Sequence, residues 1–219
     1  VVPERIESYD ISNSADTDIY CGMIVVENGK FKKSDYRSFS IKTTDGADDY
    51  ASMREALSRR FAHLLDSDDT SSLSVAPDVI LLDGGVGQVS VVKEVADSMG
   101  LQIPIFGMVK DKYHKTRTIT DGKNEISIAK DSVLFNFIYK IQEEVHRFTF
   151  SKMDASRRKK IVNLELTNVK GIGKAKAAAL YSTFKTTSQI KNASIEELIK
   201  VKGITRDNAA DIIEYLKEK

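Results

Sequence analysis

The sequence has a single cysteine, Cys21, in 219 residues. Cys21 cannot form an internal disulfide, which excludes a secreted framework stapled by bridges and fits a reducing, cytoplasmic compartment. No apolar run approaches the roughly 18 residues that a membrane-spanning helix needs. The opening residues, VVPERIESYD, offer neither an initiator Met nor the apolar core of a secretory leader. The chain is therefore expected to be a piece of something longer.

At 41% hydrophobic and 30% charged, the composition supports an ordinary packed core, in one large domain or two smaller ones. The net charge of +1 hides an asymmetry. Residues 1–150 carry 18 Lys and Arg against 24 Asp and Glu, and residues 151–219 carry 15 against 8. An acidic body joined to a basic tail assigns polyanion contact to the tail. The stretch SKMDASRRKKI (Ser151–Ile161), with four consecutive cations at Arg157–Lys160, reads as a solvated hinge. The expected division is a body at 1–152, a flexible basic linker at 153–163 and a tail domain at 164–219.

The body reads as mixed α/β. Arg5–Ile11, Tyr20–Glu27 and Ser34–Lys42 have the β-branched and aromatic content of strands. The Asn-Gly pair in ENGK marks a hairpin between the second and third. Asp48–Leu65 has helical periodicity, with Met53, Leu57, Phe61 and Leu64 on one face. The polar stretch Asp66–Ala76 is expected to be a mobile loop. PDVILLD (Pro77–Asp83) is a buried strand, Val89–Gly100 a helix and Ile103–Val109 a second buried strand, which together make a right-handed parallel crossover. Three antiparallel strands followed by a helix and a parallel strand is the order of the ribonuclease-H-like fold. A long helix, Asp131–Phe150, closes the body, with a stripe of Leu134, Ile138, Ile141, Val145 and Phe148.

Asp83 stands at the carboxyl end of a central strand, where open α/β sheets place ligand sites, and the glycines of GGVG after it let backbone approach closely. Taken alone it reads better as a capping Asp in a tight strand-to-helix turn. Asp10, in SYDIS, lies mid-strand with Ser8 and Ser12 on its own face of the pleat, and an ionised group there is costly to bury without a partner. In a ribonuclease-H-like sheet the two strands are neighbours, so Asp10 and Asp83 face each other. Hard oxygen ligands of that kind suit Mg²⁺ or Mn²⁺. Asp48 and Asp49 open the first helix, Asp48 as its cap and Asp49 reaching further toward a metal. His146, beside Val145, is at the edge of the buried stripe, and Glu143 is a further candidate ligand. His63, in RRFAHLL, reads as a surface or structural histidine. The loop KDKYHKTR, with Lys110, His114 and Arg117, is basic enough to meet phosphate, and Arg147 is another candidate counter-charge.

The tail contains a repeat. Asn168–Phe184 and Lys200–Leu216 align with Gly171 and Gly203 at the same position, 32 residues apart. Each is a helix-hairpin-helix whose turn amides form an anion site at a helix N-terminus. Gly171, Gly173, Lys174, Lys176, Gly203, Thr205 and Arg206 form the expected contact surface, reading DNA backbone rather than base edges. Thr205 replaces the Gly173 equivalent, so the second turn is expected to bind more weakly. About four phosphates held this way give a slope of log affinity against log salt near −3.6, roughly a hundredfold loss between about 50 and 200 mM.

The segments YDIS, GADDYASMREALSRR, PDVILLDGGVGQ, GMVKDKYHKTR and IQEEVHRF, in that order, resemble the C-terminal half of the UvrC family, a component of the bacterial excinuclease. The resemblance implies a ribonuclease-H-like endonuclease that makes the incision 5′ of a lesion in nucleotide excision repair, acting on double-stranded or bubble DNA. It implies catalytic positions at Asp10, Asp49, Asp83 and His146. Val86 stands where the family usually has Lys, which removes a cation from the glycine loop. Full-length family members also carry an N-terminal nuclease domain and a segment that binds UvrB, another component of the excinuclease; neither is read here. Two other classes fit the residues less well: a DNA-binding scaffold, which has no need of Asp10, Asp83 and His146 together, and a ribonuclease-H-like enzyme for junctions or RNA–DNA hybrids.

Overall fold

The computed structural model describes residues 2–13, 19–42, 48–110 and 116–217, without the side chains of 110, 116–117 and 156–164. It divides into two compact units, Val1–Met153 and Asp154–Lys219.

In the first unit, β1 (Arg5–Asn13) pairs antiparallel with β2 (Ile19–Glu27), in a register that sets Asp10 opposite Gly22. Asn28 and Gly29, both at positive φ (50° and 75°), turn the chain into β3 (Lys30–Phe31), as an Asn-Gly pair favours. The strand expected at Ser34–Lys42 is interrupted. A 3₁₀ turn at Lys33–Asp35 aims the Asp35 carboxylate inward at the Arg5 guanidinium, 2.9 Å away, and pairing with β2 resumes only in β4 (Arg37–Ser40).

Asp48 caps α1 (Asp49–Leu65), accepting from the amides of Tyr50 and Ala51. β5 (Val79–Leu82) lies parallel to β1, α2 (Val86–Ser98) crosses over, and β6 (Ile105–Lys110) lies parallel to β5. Two further strands, β7 (Thr116–Thr120) and β8 (Glu125–Ser127), extend the sheet antiparallel. The order is β3-β2-β1-β5-β6-β7-β8, with β4 also on β2. This is the expected ribonuclease-H-like arrangement, widened by one hairpin.

The pleat sends alternate side chains to two apolar layers. Tyr9, Cys21, Met23, Ile80 and Leu82 pack against Leu57 and Phe61 of α1 and Val89 and Val92 of α2. Ile6, Ile24, Val26, Leu81 and Met108 pack against Ile138, Ile141 and Val145 of α3 (Ser132–Leu166). That helix is longer than expected: residues 153–163 are helical rather than an irregular linker. No Gly or Pro interrupts the stretch, and Lys, Arg, Ala and Met are good helix formers.

The polar segment 66–76 is tied down instead of loose. Leu73 is buried, and the carbonyls of Ser72, Leu73 and Val75 accept from Arg5 and Arg60. Arg60, fully buried, also meets both oxygens of the buried Glu7, at 2.7 and 3.1 Å, and Tyr9 donates its hydroxyl to Glu7 at 2.6 Å. Burial, together with the charge of Glu7, pushes the Tyr9 phenol well above its ordinary pKa.

The second unit is helical, with α4 (Lys174–Phe184), α5 (Thr187–Asn192), α6 (Ile195–Leu198) and α7 (Arg206–Lys217) around a core that includes Leu166, Ile172, Leu180, Ile204 and Ile212. Gly171 and Gly203 take φ of +78° and +87°. The next amide in each hairpin, Ile172 or Ile204, bonds the carbonyl of Val169 or Val201 at 3.0 Å. The two turns therefore repeat each other in detail.

Candidate metal centre and nucleic-acid interface

Parallel pairing of β1 with β5 ends at Tyr9↔Leu82, and the Asp83 amide bonds the Tyr9 carbonyl at 2.8 Å. The next residue of each strand is a carboxylate, Asp10 on β1 and Asp83 after β5. Both follow the alternation that sends Leu81 and Ile6 toward α3. From α3, His146 brings its Nδ1 to 3.3 Å from Asp10 Oδ2. One ligand atom each from Asp10, Asp83 and His146 lies within 4.8 Å of the others. Asp10 is buried, Asp83 half-buried, and the His146 side chain is 62% exposed. A carboxylate pair and an imidazole gathered at this range form a donor set of hard oxygen and borderline nitrogen, which fits a divalent cation of the Mg²⁺ or Mn²⁺ kind.

The glycines after Asp83 have separate explanations. A methyl group on Gly84 would meet the Gln88 side chain at 2.6 Å, and one on Gly87 would meet the Tyr50 hydroxyl at 2.5 Å. Only Gly85 of this turn faces open space, and it is also the residue that caps α2. Helix α2 starts at Val86, three residues before the expected start, so Gly87 belongs to its first turn. Of the three glycines expected to make room for an approaching backbone, one is placed to do so.

Other candidates go elsewhere. Asp49 is exposed and accepts from Asn13 Nδ2 at 3.0 Å; it is not part of the three-ligand group. Glu143 is exposed and also outside that group. Arg147 forms a two-pronged ion pair with Glu144 at 2.7 and 2.8 Å, which removes it as a ready phosphate contact. His63 pairs with Asp69 at 2.7 Å, a structural role as expected. His114 lies outside the described residues, as do the side chains of Lys110 and Arg117. Cys21, opposite Ile11 in the β1–β2 register, is fully buried, and burial with the nearby Asp10 charge pushes its thiol far up, out of reactive range.

Sequence reasoning missed Gln142. Its Nε2 donates to Asp83 Oδ1 at 2.8 Å from a position that is 2% exposed. The available signal was its place four residues before His146, on the same helix face.

In the tail, Gly171, Gly173, Lys174, Gly203 and Arg206 all lie on the exposed surface of the hairpins. Gly173 caps α4 with no side-chain bond, leaving the first-turn amides to other acceptors. In the second hairpin Thr205 Oγ1 accepts from the Asn208 amide at 3.2 Å, so that turn has one donor fewer to offer. Arg206 reaches Glu196 at 3.3 Å. Lys176 turns inward, donating to the Gly171 carbonyl and to Asn208 Oδ1, both at 2.9 Å, rather than standing clear for phosphate.

Residues 1–150 match the UvrC RNase H endonuclease domain, and residues 164–218 match the SAM-like helix-hairpin-helix tandem. The chain belongs to the UvrC family. It is 45% identical over 216 residues to UvrABC system protein C of Finegoldia magna, covering 98% of this chain and 36% of that protein. The UvrABC system protein C of Thermoanaerobacter sp. (strain X514) is 43% identical over 227 residues, covering 98% of this chain and 36% of its own. The chain thus spans about a third of the length of these UvrC relatives, less than the half expected. Ciona intestinalis endonuclease V, in complex with inosine-containing DNA, superposes only loosely, at a TM-score of 0.37 with 14% identity over 50% of this chain and 48% of its own. Among the described residues no helix is long and apolar enough to cross a membrane.

Proposed function

We propose that this chain is a metal-dependent DNA endonuclease that makes the 5′ incision of bacterial nucleotide excision repair, with its hairpin pair holding the duplex without regard to sequence. The observation that carries the reading is the convergence of Asp10, Asp83 and His146 to within 4.8 Å at the carboxyl ends of β1 and β5. These three residues would hold Mg²⁺ or Mn²⁺, which supplies a Lewis acid for the scissile phosphate and a more acidic bound water. Asp10 and Asp83 set the charge that selects a divalent ion. His146, the most exposed of the three, offers a ring nitrogen at the substrate side. Asp49, held by Asn13 at the mouth of α1, is a catalytic candidate through contact with substrate or its water and not as a ligand. The first-turn amides of α4, with Lys174 beside them, grip phosphates, and the second hairpin adds a weaker grip through Gly203, Thr205 and Arg206. In a longer protein the partner would be UvrB, which brings the damage recognition that a backbone-reading module lacks.

Nicking of supercoiled plasmid, with Mn²⁺ or Mg²⁺ against EDTA, tests the reading beside Asp83→Asn. Nicking should require metal and disappear in the variant, while DNA affinity stays within about twofold. Nicking that survives Asp83→Asn would show the site misassigned. Binding without any nicking in the wild type would favour the scaffold class.

A further inference from the structure

We infer that Gln142 is the positioning residue of the metal centre: its amide fixes the rotation of the Asp83 carboxylate, and thereby the affinity for the ion. The inference rests on the metal site proposed above. Gln142 lies on the buried side of α3, with the apolar Ile138, Ile141 and Val145 buried around it. A buried amide is costly unless bonded, so a glutamine retained there needs a partner. It has one in Asp83 Oδ1, at 2.8 Å. An ionised carboxylate only accepts, so the nitrogen end of the amide faces it.

Two properties follow from this contact. A bond to one carboxylate oxygen sets the torsion of the whole group, and so the direction of the second oxygen. Ligands held in this way lose less freedom when the ion arrives. The donor is also neutral. A lysine at this place would hold Asp83 equally well but bring its own positive charge, competing with the cation. Glutamine orients the ligand and leaves its charge for the metal. The spacing reinforces the assignment, because Gln142 and His146 are one helical turn apart, so α3 presents a ligand and the support for a second ligand from the same face.

The test is Mn²⁺ binding to the whole chain, followed by the loss of the free-ion electron paramagnetic resonance signal, without DNA. Gln142→Met keeps the volume and removes the donor. It should weaken Mn²⁺ binding tenfold to a hundredfold. In an Asp83→Ala background, which removes the acceptor, the same change should cost nothing further of the residual affinity, a coupling that a packing role would not produce. Gln142→Lys guards against misfolding, since it can pair with Asp83. It should fold, and should bind Mn²⁺ more weakly than Gln142→Met. Wild-type affinity in Gln142→Met overturns the inference and leaves the metal site standing, even if nicking is lost, because the amide then acts on the substrate. A wild type that binds no Mn²⁺ at millimolar concentration overturns both.

Discussion

Lys176 and Asn208 occupy the same position in the two hairpins, 32 residues apart, and the ammonium of one donates to the side-chain oxygen of the other at 2.9 Å. Equivalent residues of a doubled motif thus hold the two copies together. A methyl group on Gly171 would meet Asn208 Nδ2 at 3.0 Å, and one on Gly203 would lie 3.9 Å from the Lys176 stem, so each glycine turn is backed by the other hairpin's residue.

The first prediction separates lysines that brace from lysines that bind. Lys174→Ala should lower the slope of log affinity against log salt by about 0.9, one phosphate's worth. Lys176→Met should leave that slope unchanged and lower the thermal midpoint of the tail unit. Salt-dependent DNA titrations and a melting curve on the same preparations decide it. An equal loss of slope in both variants would put the Lys176 ammonium on DNA.

The second concerns Gly22, which faces Asp10 across the β1–β2 register. A methyl group there would fall 2.1 Å from Thr149 Oγ1 on α3, three residues beyond His146. Gly22→Ala should push α3 away from the sheet, destabilising the chain by about 1–3 kcal/mol in urea unfolding. The same shift should cut nicking by tenfold to a hundredfold. If neither the unfolding midpoint nor the nicking rate moves, the approach of α3 is set elsewhere.

The third is a pH dependence in the turn between β7 and β8. The Asp121 carboxylate accepts from the amides of Asn124 (2.7 Å) and Lys123 (2.8 Å). These bonds, that of Asn124 first, hold its pKa down at about 2. An unfolded Asp titrates near 3.9. A folded value below the unfolded one means stabilisation fully present above about 3.9 and lost as pH falls through about 2. Carboxyl carbon chemical shifts should titrate for Asp121 with a midpoint near 2; a midpoint near 3.9 would show the turn bonds absent.

Much of the body is legible in the sequence because its signals are local. The apolar run before Asp83, the polar neighbours of Asp10 and the Asn-Gly turn each state their structure within a few residues, and the crossover rule then makes the two aspartates neighbours. What escapes reading depends on distance or weak patterning. Glu7 and Arg60 are 53 residues apart, and no periodicity announces that they meet. β8 is three exposed residues, too short to show alternation. The charged stretch after Phe150 reads as a linker because it has little apolar content, although nothing in it breaks a helix. Gln142 escapes notice because glutamine on a helix is usually solvated, and only the three-dimensional neighbourhood shows what it holds.

Strand β1 carries carboxylates on both of its faces, Glu7 locked to Arg60 on one side and Asp10 beside His146 on the other. In a library of β1 variants expressed in cells, these two positions should give opposite phenotypes. Leaving a buried charge without its partner costs about 3–5 kcal/mol, and losses of that size lower the amount of folded protein. Glu7 variants should therefore be scarce, and cooling the culture should restore them. Asp10 variants should accumulate normally and remain inert at every growth temperature.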